Sequence, residues 1–393
     1  MKEILVALVK GDGAAPEMMQ WACEVVIKAA EKDKVRIRFE ETPMGWNAYE
    51  KYGDTLPVAS FRRAVNLGTI FFGGVGDPKF DNTIGVEKPE MKPEARCLLA
   101  LRKEMGLLLN FRPMIYYPEL RHLANVKPET IPDEGIKQIW IRFLLEDSYF
   151  GNETFLNGAA HEMARHIGVK LKSEVTGKEK YITDIAFYIK DTVEKYARSA
   201  FAHAKSLGLP LISIDKANVM PRYDFWRKIF TQIGKEEFPD VKLSHQYVDS
   251  ANALLFTPAK LHGVIACGNE HGDILSDGAA AALGSMGMMC SSAINPDNRK
   301  GMFESGAGTA PTLTGTNKAN SIGRFLTGAM MLRHLSVPKG ADSIEFAVRK
   351  ALIDGWRTHD MCGSANPLAL ASPGYKEHVL GTKEMGQLIL SLI

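Results

Sequence analysis

The feature that most constrains the fold of this chain is an alternation of short apolar runs with segments of helical periodicity. The apolar runs have the length of buried strands, and the segments between them repeat apolar residues at helical spacing. Strands that alternate with helices are typical of an α/β fold with a mostly parallel sheet. The predicted strands are 4–9, 35–39, 69–72, 138–143, 211–214 and 264–267, and the predicted helices are 14–30, 185–206, 223–235 and 273–283.

The 393 residues contain no Gly/Ser-rich linker, low-complexity segment or internal repeat. At about 150 residues per domain, this length indicates two or three domains. A boundary between them is therefore expected where the chain crosses within a shared sheet. The least periodic stretch, 153–181, has the length of a lid, an oligomer arm or a surface elaboration.

Composition excludes several classes of function. Lys and Arg number 48 against 46 Asp and Glu, a net charge of +2, so no nucleic-acid partner is expected. No run of 18 apolar residues is present, and the first apolar run is too short for a secretory signal, so no membrane partner is expected. Five widely spaced cysteines without a CxxC pair indicate free thiols in a reducing compartment, which predicts a cytoplasmic protein.

A glycine-rich turn, Gly11-Asp12-Gly13, follows the first predicted strand and opens the first predicted helix, as a dinucleotide-binding loop does. Pro16 stands where the GxGxxG fingerprint has its third glycine, so an ordinary strand-to-helix turn remains the alternative. Further glycine-rich stretches lie at 73–76, 284–287 and 306–311.

Acidic residues indicate a metal site. Asp273 and Asp277 are four residues apart on a predicted helix and so share one face. Two carboxylates this close repel each other unless a hard divalent cation lies between them. Asp249 ends another strand pattern and is a candidate third oxygen ligand. The alternative is a solvated helix face with capping residues.

Basic and aromatic residues indicate an anionic substrate. Arg102, Arg112 and Arg142 each adjoin apolar residues of a predicted element, and arginine is suited to bidentate carboxylate recognition. Three of them suggest a substrate with two or more carboxylates, with ordinary salt bridges as the alternative. Lys216 and Tyr149 follow predicted strands, where α/β sites lie, and a desolvated lysine can act as a base. A loop or core role is the alternative for the tyrosine.

Taken together, these residues resemble the β-decarboxylating dehydrogenases, the family of isocitrate, 3-isopropylmalate, homoisocitrate and tartrate/D-malate dehydrogenases. The resemblance runs from Gly11 to Leu332 and is most specific over 268–287, where the chain is similar to the signature GN-x-x-GD-x-LSD…GS-x-G. The runs IDKANV, HQYVD and LRK…FRP match in the right order.

The resemblance implies an isopropylmalate-dehydrogenase-like fold, in which two α/β domains share a continuous sheet system. The large, cofactor-binding domain is expected at 1–107 plus 284–393. The small domain is expected at 108–283, with the dimer interface and a clasp arm at about 150–181.

The family pattern also implies a role for each candidate residue. Lys216 and Asp249 reach into the partner subunit's site in this family, so a homodimer with shared active sites is expected. By this resemblance the catalytic pair is Tyr149 and Lys216, the substrate carboxylates are held by Arg102, Arg112 and Arg142, the side-group pocket is lined by Leu98 and Leu99, and the Mg²⁺ or Mn²⁺ ligands are Asp249, Asp273 and Asp277.

The expected cofactor is NAD, with NADP possible. The loop 306–320 resembles the adenosine-binding loop, but Thr312 replaces the aspartate of NAD-preferring members and Ala307 replaces a histidine. Phe143 likewise replaces a glutamate that usually follows the third arginine. The residues implied in cofactor binding are Glu94, Asn218, Gly306, Gly308, Thr309, Ala310, Pro311 and Asn320.

The implied activity is the oxidative decarboxylation of a small 3-substituted (R)-malate, a dicarboxylic hydroxy acid. The stretch 97–100 is apolar and resembles the isopropylmalate branch, and an apolar lining rejects an unpaired charge. An isopropylmalate-like or malate/tartrate-like substrate is therefore favoured over isocitrate. The alternatives are a non-catalytic regulatory homologue, a 2-hydroxy acid dehydrogenase that does not decarboxylate, and a nucleotide-binding protein without hydride chemistry.

Overall fold

The computed structural model describes residues 1–133, 135–151, 186–284, 286–363 and 377–393. The arm predicted at about 150–181 therefore lies almost entirely outside the described residues. The strands in these ranges are β1 (Lys2–Val9), β2 (Val35–Glu41), β3 (Thr69–Phe72), β4 (Leu109–Ile115), β5 (Lys137–Phe143), β6 (Leu211–Asp215), β7 (Leu243–Tyr247), β8 (Gly263–Cys267), β9 (Ser292–Ile294), β10 (Gly301–Glu304), β11 (Trp356–Arg357) and β12 (His378–Val379).

The helices pack on both faces of the strands or connect them. A π-helical turn at Glu94–Leu99 leads directly into one of the short helices. The α-helices are α1 (Ala15–Ala30), α2 (Trp46–Tyr52), α3 (Val58–Leu67), α4 (Pro78–Asp81), α5 (Ile84–Glu87), α6 (Ala100–Glu104), α7 (Ser148–Gly151), α8 (Lys190–Leu207), α9 (Pro221–Glu237), α10 (Val248–Leu254), α11 (Asn269–Leu283), α12 (Ile322–His334), α13 (Pro338–Ile353) and α14 (Thr382–Leu392).

Ten strands form one sheet in the order β2-β1-β3-β10-β9-β4-β5-β8-β6-β7. Near its middle, β9 pairs antiparallel with β10 and β4, and β4 pairs antiparallel with β5. The outer pairs are parallel. One half of the sheet comes from the two ends of the chain and the other half from its middle. The predicted isopropylmalate-dehydrogenase-like α/β fold with a continuous sheet is thereby confirmed, while the limits of the two domains stay a prediction.

The predicted strands and helices are confirmed, and their ends differ by a few residues. The strand 69–72 is β3 without change, whereas the helix predicted at 273–283 begins earlier, at Asn269. The sequence did not predict β4, β9 and β10, which are short or carry polar residues. It also did not predict α12. Most residues of this helix are buried, so its sequence lacks the alternation of apolar and polar faces that predicts a surface helix.

Burial follows the predicted pattern. In the parallel half, β6 and β8 are buried at every position, as expected for strands covered on both faces. Helices α8 and α9 cover one face, and α12 and α13 pack on α1 in the other half of the sheet. All five cysteines are free thiols, as predicted. Among the described helices, none has both the length and the apolar character needed to cross a membrane.

Candidate active site

A cleft of about 370 Å³ lies where the two halves of the sheet meet. Its walls come from the π-helical turn and α6 on one side, from β4, β5 and α11 on another, and from the chain that follows β10. The cleft thus brings together residues that are distant in sequence. The predicted site residues that line it are Glu94, Leu98, Leu99, Arg102, Arg112, Arg142, Tyr149, Asp273, Gly306 and Gly308.

The three arginines converge on this cleft because of strand register. Asn110 of β4 pairs with Arg142 of β5, so Arg112, two positions along β4, projects from the same face as Arg142. Arg102 comes from α6, is 7% exposed, and its Nε has no hydrogen-bond partner among the described residues. Burial, followed by the nearby charge of Arg112, lowers the pKa of Arg142 to about 9. This concentration of buried positive charge is suited to an anion with several carboxylates.

The two helical aspartates face these arginines. Arg112 contacts Asp273 at 3.0 Å through Nη2 and Asp277 at 2.9 Å through Nη1. Arg142 pairs with Asp273 as well, and its Nε donates to Asn269 Oδ1 at 2.8 Å. Burial raises the pKa of Asp277, the charge of Arg112 opposes this change, and the nearby Asp273 adds to it. Their carboxylate oxygens are the donors that a hard divalent cation prefers, so Asp273 and Asp277 would be the residues of this chain that hold one, and in this structure both are paired with Arg112.

Tyr149 lies on the short helix α7 at the edge of the cleft. Its hydroxyl donates to Asp273 Oδ2 at 3.1 Å, and the Arg142 guanidinium lies over its ring at 5.1 Å from the centroid. Burial and then the negative charge of Asp273 raise its pKa, so the hydroxyl stays protonated and able to donate.

Lys216 and Asp249 lie elsewhere. Lys216 follows β6, Asp249 lies in the first turn of α10, and the two pair with each other rather than with the cleft. Asn218, on the same turn as Lys216, is exposed. Among the described residues of one chain, no three acidic, histidine or cysteine side chains are grouped to hold a metal ion. Within one chain the structure therefore brings together two of the three predicted metal ligands.

The glycine-rich turns meet on the other side of the cleft. Gly11 has φ +82°, and a Cβ there would lie 1.9 Å from the Gly74 carbonyl oxygen, so only glycine fits. Ala14 donates its backbone N–H to the Thr309 carbonyl at 2.9 Å, which docks the 306–311 loop on this turn. In the same loop Ala310 has φ +45° and Pro311 opens a 3-10 turn.

Asn320 is placed differently from the rest of its loop. It is 7% exposed, and its amide donates to Asp360 Oδ2 at 3.0 Å and accepts from the Ile322 N–H at 2.9 Å. The side chain therefore stabilises the turn just before α12. Its part in cofactor binding stays a prediction.

Sequence reasoning missed several residues that line the cleft: Ala95, Ser291, Glu304 and Ser305. Glu304 ends the short strand β10, and burial raises its pKa against the opposing effect of Arg102. The π-helical turn was also missed, although such turns are frequent at functional sites. Phe143, by contrast, does not line the cleft. It is 0% exposed and packs on Tyr188, Tyr196 and Trp226.

The chain matches known proteins along nearly its whole length. The sequence profile of a family described as isocitrate/isopropylmalate dehydrogenase matches residues 5–389. Over 389 residues the chain is 37% identical to a 3-isopropylmalate dehydrogenase from Cupriavidus metallidurans, with 99% of each chain covered. It is 35% identical over 391 residues to a 3-isopropylmalate dehydrogenase from Clostridium pasteurianum, again with 99% of each chain covered.

Solved structures share the fold. A β-decarboxylating dehydrogenase from Thermococcus kodakarensis superimposes with a TM-score of 0.72 at 28% identity, covering 99% of this chain and 96% of that one. An isocitrate dehydrogenase from Methylococcus capsulatus superimposes with a TM-score of 0.76 at 24% identity, covering 100% of this chain and 99% of that one, a likeness of fold alone. The chain therefore belongs to the isocitrate/isopropylmalate dehydrogenase family and, as its sequence predicts, is a decarboxylating dehydrogenase that uses NAD and a divalent metal ion such as Mg²⁺ or Mn²⁺.

Proposed function

We propose that the protein catalyses the oxidative decarboxylation of a 3-substituted (R)-malate whose 3-substituent is apolar, with 3-isopropylmalate as the representative substrate. The observation that supports this most directly is the composition of the cleft. Three arginines, Tyr149 and Asp273 converge there beside Leu98 and Leu99. Such a site binds a dicarboxylate at one end and an alkyl group at the other.

The leucines favour an alkyl substituent over the additional carboxylate of isocitrate. Leu98 and Leu99 are partly buried and line the cleft together with Ala95. A carboxylate placed against them would lose its hydration without gaining a partner, which is costly. Glu94 and Glu304 also line the cleft and would repel an additional negative charge.

The residues of the cleft divide the work of the reaction. Arg102, Arg112 and Arg142 hold the two carboxylates and so fix the carbon that loses hydride. Tyr149, whose hydroxyl is protonated at neutral pH, would donate a proton to the carbon that loses CO₂. When bound at Asp273 and Asp277, a divalent ion supplies Lewis acidity at the substrate oxygen, and NAD accepts the hydride.

We further propose that Lys216 and Asp249 serve the site of a second copy of the chain. In one chain they pair with each other and lie outside the cleft, although the resemblance gives them catalytic and metal-binding roles. Two large apolar side chains on or next to the helices that carry the three aspartates are exposed: Ile274 of α11 is 63% exposed, and Phe256, just after the end of α10, is 65% exposed. A homodimer that buries this surface would bring the missing groups to each cleft.

A substrate panel tests the reaction. Protein with Mn²⁺ is supplied with malate, tartrate, 3-isopropylmalate and isocitrate, with NAD and NADP in separate assays, and both reduced cofactor and CO₂ are measured. We expect the highest kcat/KM with 3-isopropylmalate and NAD. Preference for isocitrate would contradict the proposed pocket. Reduced cofactor without CO₂ would instead support a dehydrogenase that does not decarboxylate.

Variants test the residues. Lys216→Ala and Asp273→Asn should each lower kcat at least about 100-fold, whereas Lys228→Ala, which removes a surface pair with Asp224, should not. Mixing Lys216→Ala with Tyr149→Phe under conditions of subunit exchange tests the shared site. Half of the dimers are then mixed, each with one intact site, so about a quarter of the wild-type rate should return. No recovery despite proven exchange would place both residues in one chain's site.

A further inference from the structure

Arg324 is a buried cation that the reaction itself does not use. It lies in the first turn of α12, is 1% exposed, and is absent from the lining of the cleft. Burying a guanidinium is costly unless its donors are paired. The partners it has found therefore indicate why it is there.

Those partners are main-chain carbonyls of two different loops and the sulfur of one helical methionine. Nη2 donates to the carbonyl of Gly73 at 2.9 Å and to the carbonyl of Gly308 at 2.7 Å. Nη1 contacts the sulfur of Met18, in α1, at 3.1 Å. One side chain thus joins the end of β3, helix α1 and the 306–311 loop.

The two loop residues whose carbonyls Arg324 contacts, Gly73 and Gly308, have no side chains of their own. Gly73 passes so close to the first loop that a Cβ would lie 2.2 Å from the Lys10 carbonyl oxygen, and Gly308 has φ +64°. A side chain at Gly73 would clash and one at Gly308 would be strained by the positive φ, so the hydrogen bonds that join these two positions come from a third element. Arg324 supplies them from α12.

The charge of Arg324 also interacts with an acidic residue that lines the cleft. Burial lowers its pKa to about 10, and Glu304, which lines the cleft, opposes this change with its negative charge. The same Glu304 faces the charge of Arg102, the substrate arginine from α6. The negative charge of Glu304 therefore acts on the arginine of α6 and on Arg324 alike.

We propose that Arg324 is a positioning residue for cofactor binding, since its buried guanidinium fixes the Gly308 carbonyl and so holds the 306–311 loop against the Gly11–Gly13 turn. The inference rests on the proposed function, because the part of this loop in cofactor binding is itself a proposal. A loop that is ordered before the cofactor arrives lowers the ordering cost of binding. The hydrogen bonds of Arg324 go to Gly73, Gly308 and Met18 and not to Asp273, Tyr149 or the arginines of the cleft, so we expect it to act on cofactor affinity and not on the chemical step.

The chain offers a matched control in Arg357. It is also buried, at 3% exposed, and also donates to main-chain carbonyls, those of Leu352, Trp356 and Glu119. None of these three residues lines the cleft. Replacing either arginine removes the same kind of buried clamp, but only one of the clamps holds the glycine-rich loop.

The experiment compares Arg324→Lys and Arg324→Met with Arg357→Lys. NADH affinity is measured by fluorescence titration, KM for NAD and kcat by steady-state kinetics, and stability by urea unfolding. We expect Arg324→Lys to weaken NADH binding and to raise KM for NAD by about ten-fold, with kcat at saturating NAD within about three-fold of wild type. Arg324→Met should weaken binding further, because lysine keeps a donor. Arg357→Lys should lower stability but leave NADH affinity within about two-fold.

Each other outcome is decisive. Unchanged NADH affinity in Arg324→Lys would overturn the inference, as would an equal loss in Arg357→Lys or a matching fall in kcat. Failure of both Arg324 variants to fold would also overturn it, since the residue would then serve the fold as a whole. Failure of the wild-type protein to bind NADH is a separate result that counts against the proposed function.

Discussion

Two turns at the same edge of the sheet present the two proposed catalytic side chains. Each turn contains a buried aspartate with an arginine of α9 near it, but the contacts between aspartate and arginine differ in strength. One turn follows β5 and carries Tyr149, and the other follows β6 and carries Lys216. Both strands run parallel to β8, which lies between them. In each turn an aspartate that is 0% exposed precedes the catalytic residue, Asp147 in the first and Asp215 in the second.

The Lys216 turn is held by a compact ion pair. Arg227 of α9 donates from Nε and Nη2 to the two oxygens of Asp215, both at 2.8 Å, and its guanidinium lies over the Tyr247 ring. The same carboxylate accepts the Ala217 N–H at 3.0 Å. A bidentate pair of this kind fixes both position and orientation.

The Tyr149 turn is held more loosely. Asp147 adopts φ +76°, accepts from the Ser148 N–H and the Tyr188 hydroxyl at 3.0 Å each, and lies 3.5 Å from Arg222 of α9. The Nε of Arg222 has no hydrogen-bond partner among the described residues. Helix α9 therefore supplies an arginine to both turns. An ion pair dominates in the Lys216 turn, whereas the Tyr149 turn depends on neutral hydrogen bonds and contains a strained backbone position.

The largest loss of stability should follow replacement of Arg227. Arg227→Met leaves Asp215 buried without its cation, and breaking such a pair costs about 3–5 kcal/mol. We expect this loss in urea unfolding, together with a lower kcat, because the Lys216 turn loses its brace. A loss below about 1 kcal/mol would show that the pair contributes little beyond the other contacts of Asp215.

The backbone of the two turns should respond in opposite ways to glycine. At Asp147, with its positive φ, the glycine variant should be more stable than the alanine variant by about 1 kcal/mol. At Asp215, which does not have a positive φ, the alanine variant should be the more stable by about 0.5–1 kcal/mol. Urea unfolding of the four variants measures both differences. The same order at both sites would remove strain as a distinction between the turns.

Arg222 should matter less than Arg227. Its contact with Asp147 is 3.5 Å long, and it gains part of its stabilisation from the Tyr223 ring, 4.9 Å away. Arg222→Met is therefore expected to cost about 1 kcal/mol. Lys228→Met, which breaks an exposed pair on the same helix, should cost under about 0.5 kcal/mol. An Arg222 effect as large as that of Arg227 would contradict the difference drawn between the turns.

The same two turns show what the sequence can and cannot predict. The Lys216 turn was predicted, because its apolar strand and its motif lie within a few consecutive residues. The partners of Asp147 are Tyr188 and Arg222, more than forty and seventy residues away, so no local pattern reveals that this aspartate is buried. Arg324 was missed for a similar reason. A charged residue in a helical pattern is ordinarily predicted to face solvent, and only the packing of two loops and helix α1 around it shows otherwise.

Fold and site differ in the same way. The fully buried strands β3, β6 and β8 are apolar runs and were predicted to within about a residue, whereas β9 and β10 are too short to show a pattern. The arginines of the cleft were predicted individually, and the register of β4 on β5 that places two of them on one face appears only in the structure. The separation of Lys216 and Asp249 from the cleft was likewise expected only through the family resemblance.

The smallest expected effect is a pH dependence of the unfolding free energy that comes from Glu146 in the Tyr149 turn. Glu146, 3% exposed and adjacent to Asp147, accepts the Ile189 N–H at 2.8 Å, yet burial raises its pKa, with Asp147 adding to the effect. The Lys216 turn has the apolar Ile214 in the position before its aspartate.

Because the folded state holds this proton more tightly than the unfolded state, Glu146 contributes stability below its ordinary pKa of about 4.3 and loses it as the pH rises through the raised value. The unfolding free energy of the wild type minus that of Glu146→Gln should therefore fall from pH 4 upward and then level off. Glu194→Gln is the control of opposite sign, since hydrogen bonding from Lys190 lowers the pKa of Glu194, and its difference should rise with pH. A Glu146 difference that rises with pH would mean that the hydrogen bond from the Ile189 N–H outweighs burial. The buried carboxylates of the Tyr149 turn would then be as well stabilised as the carboxylate of the Lys216 turn.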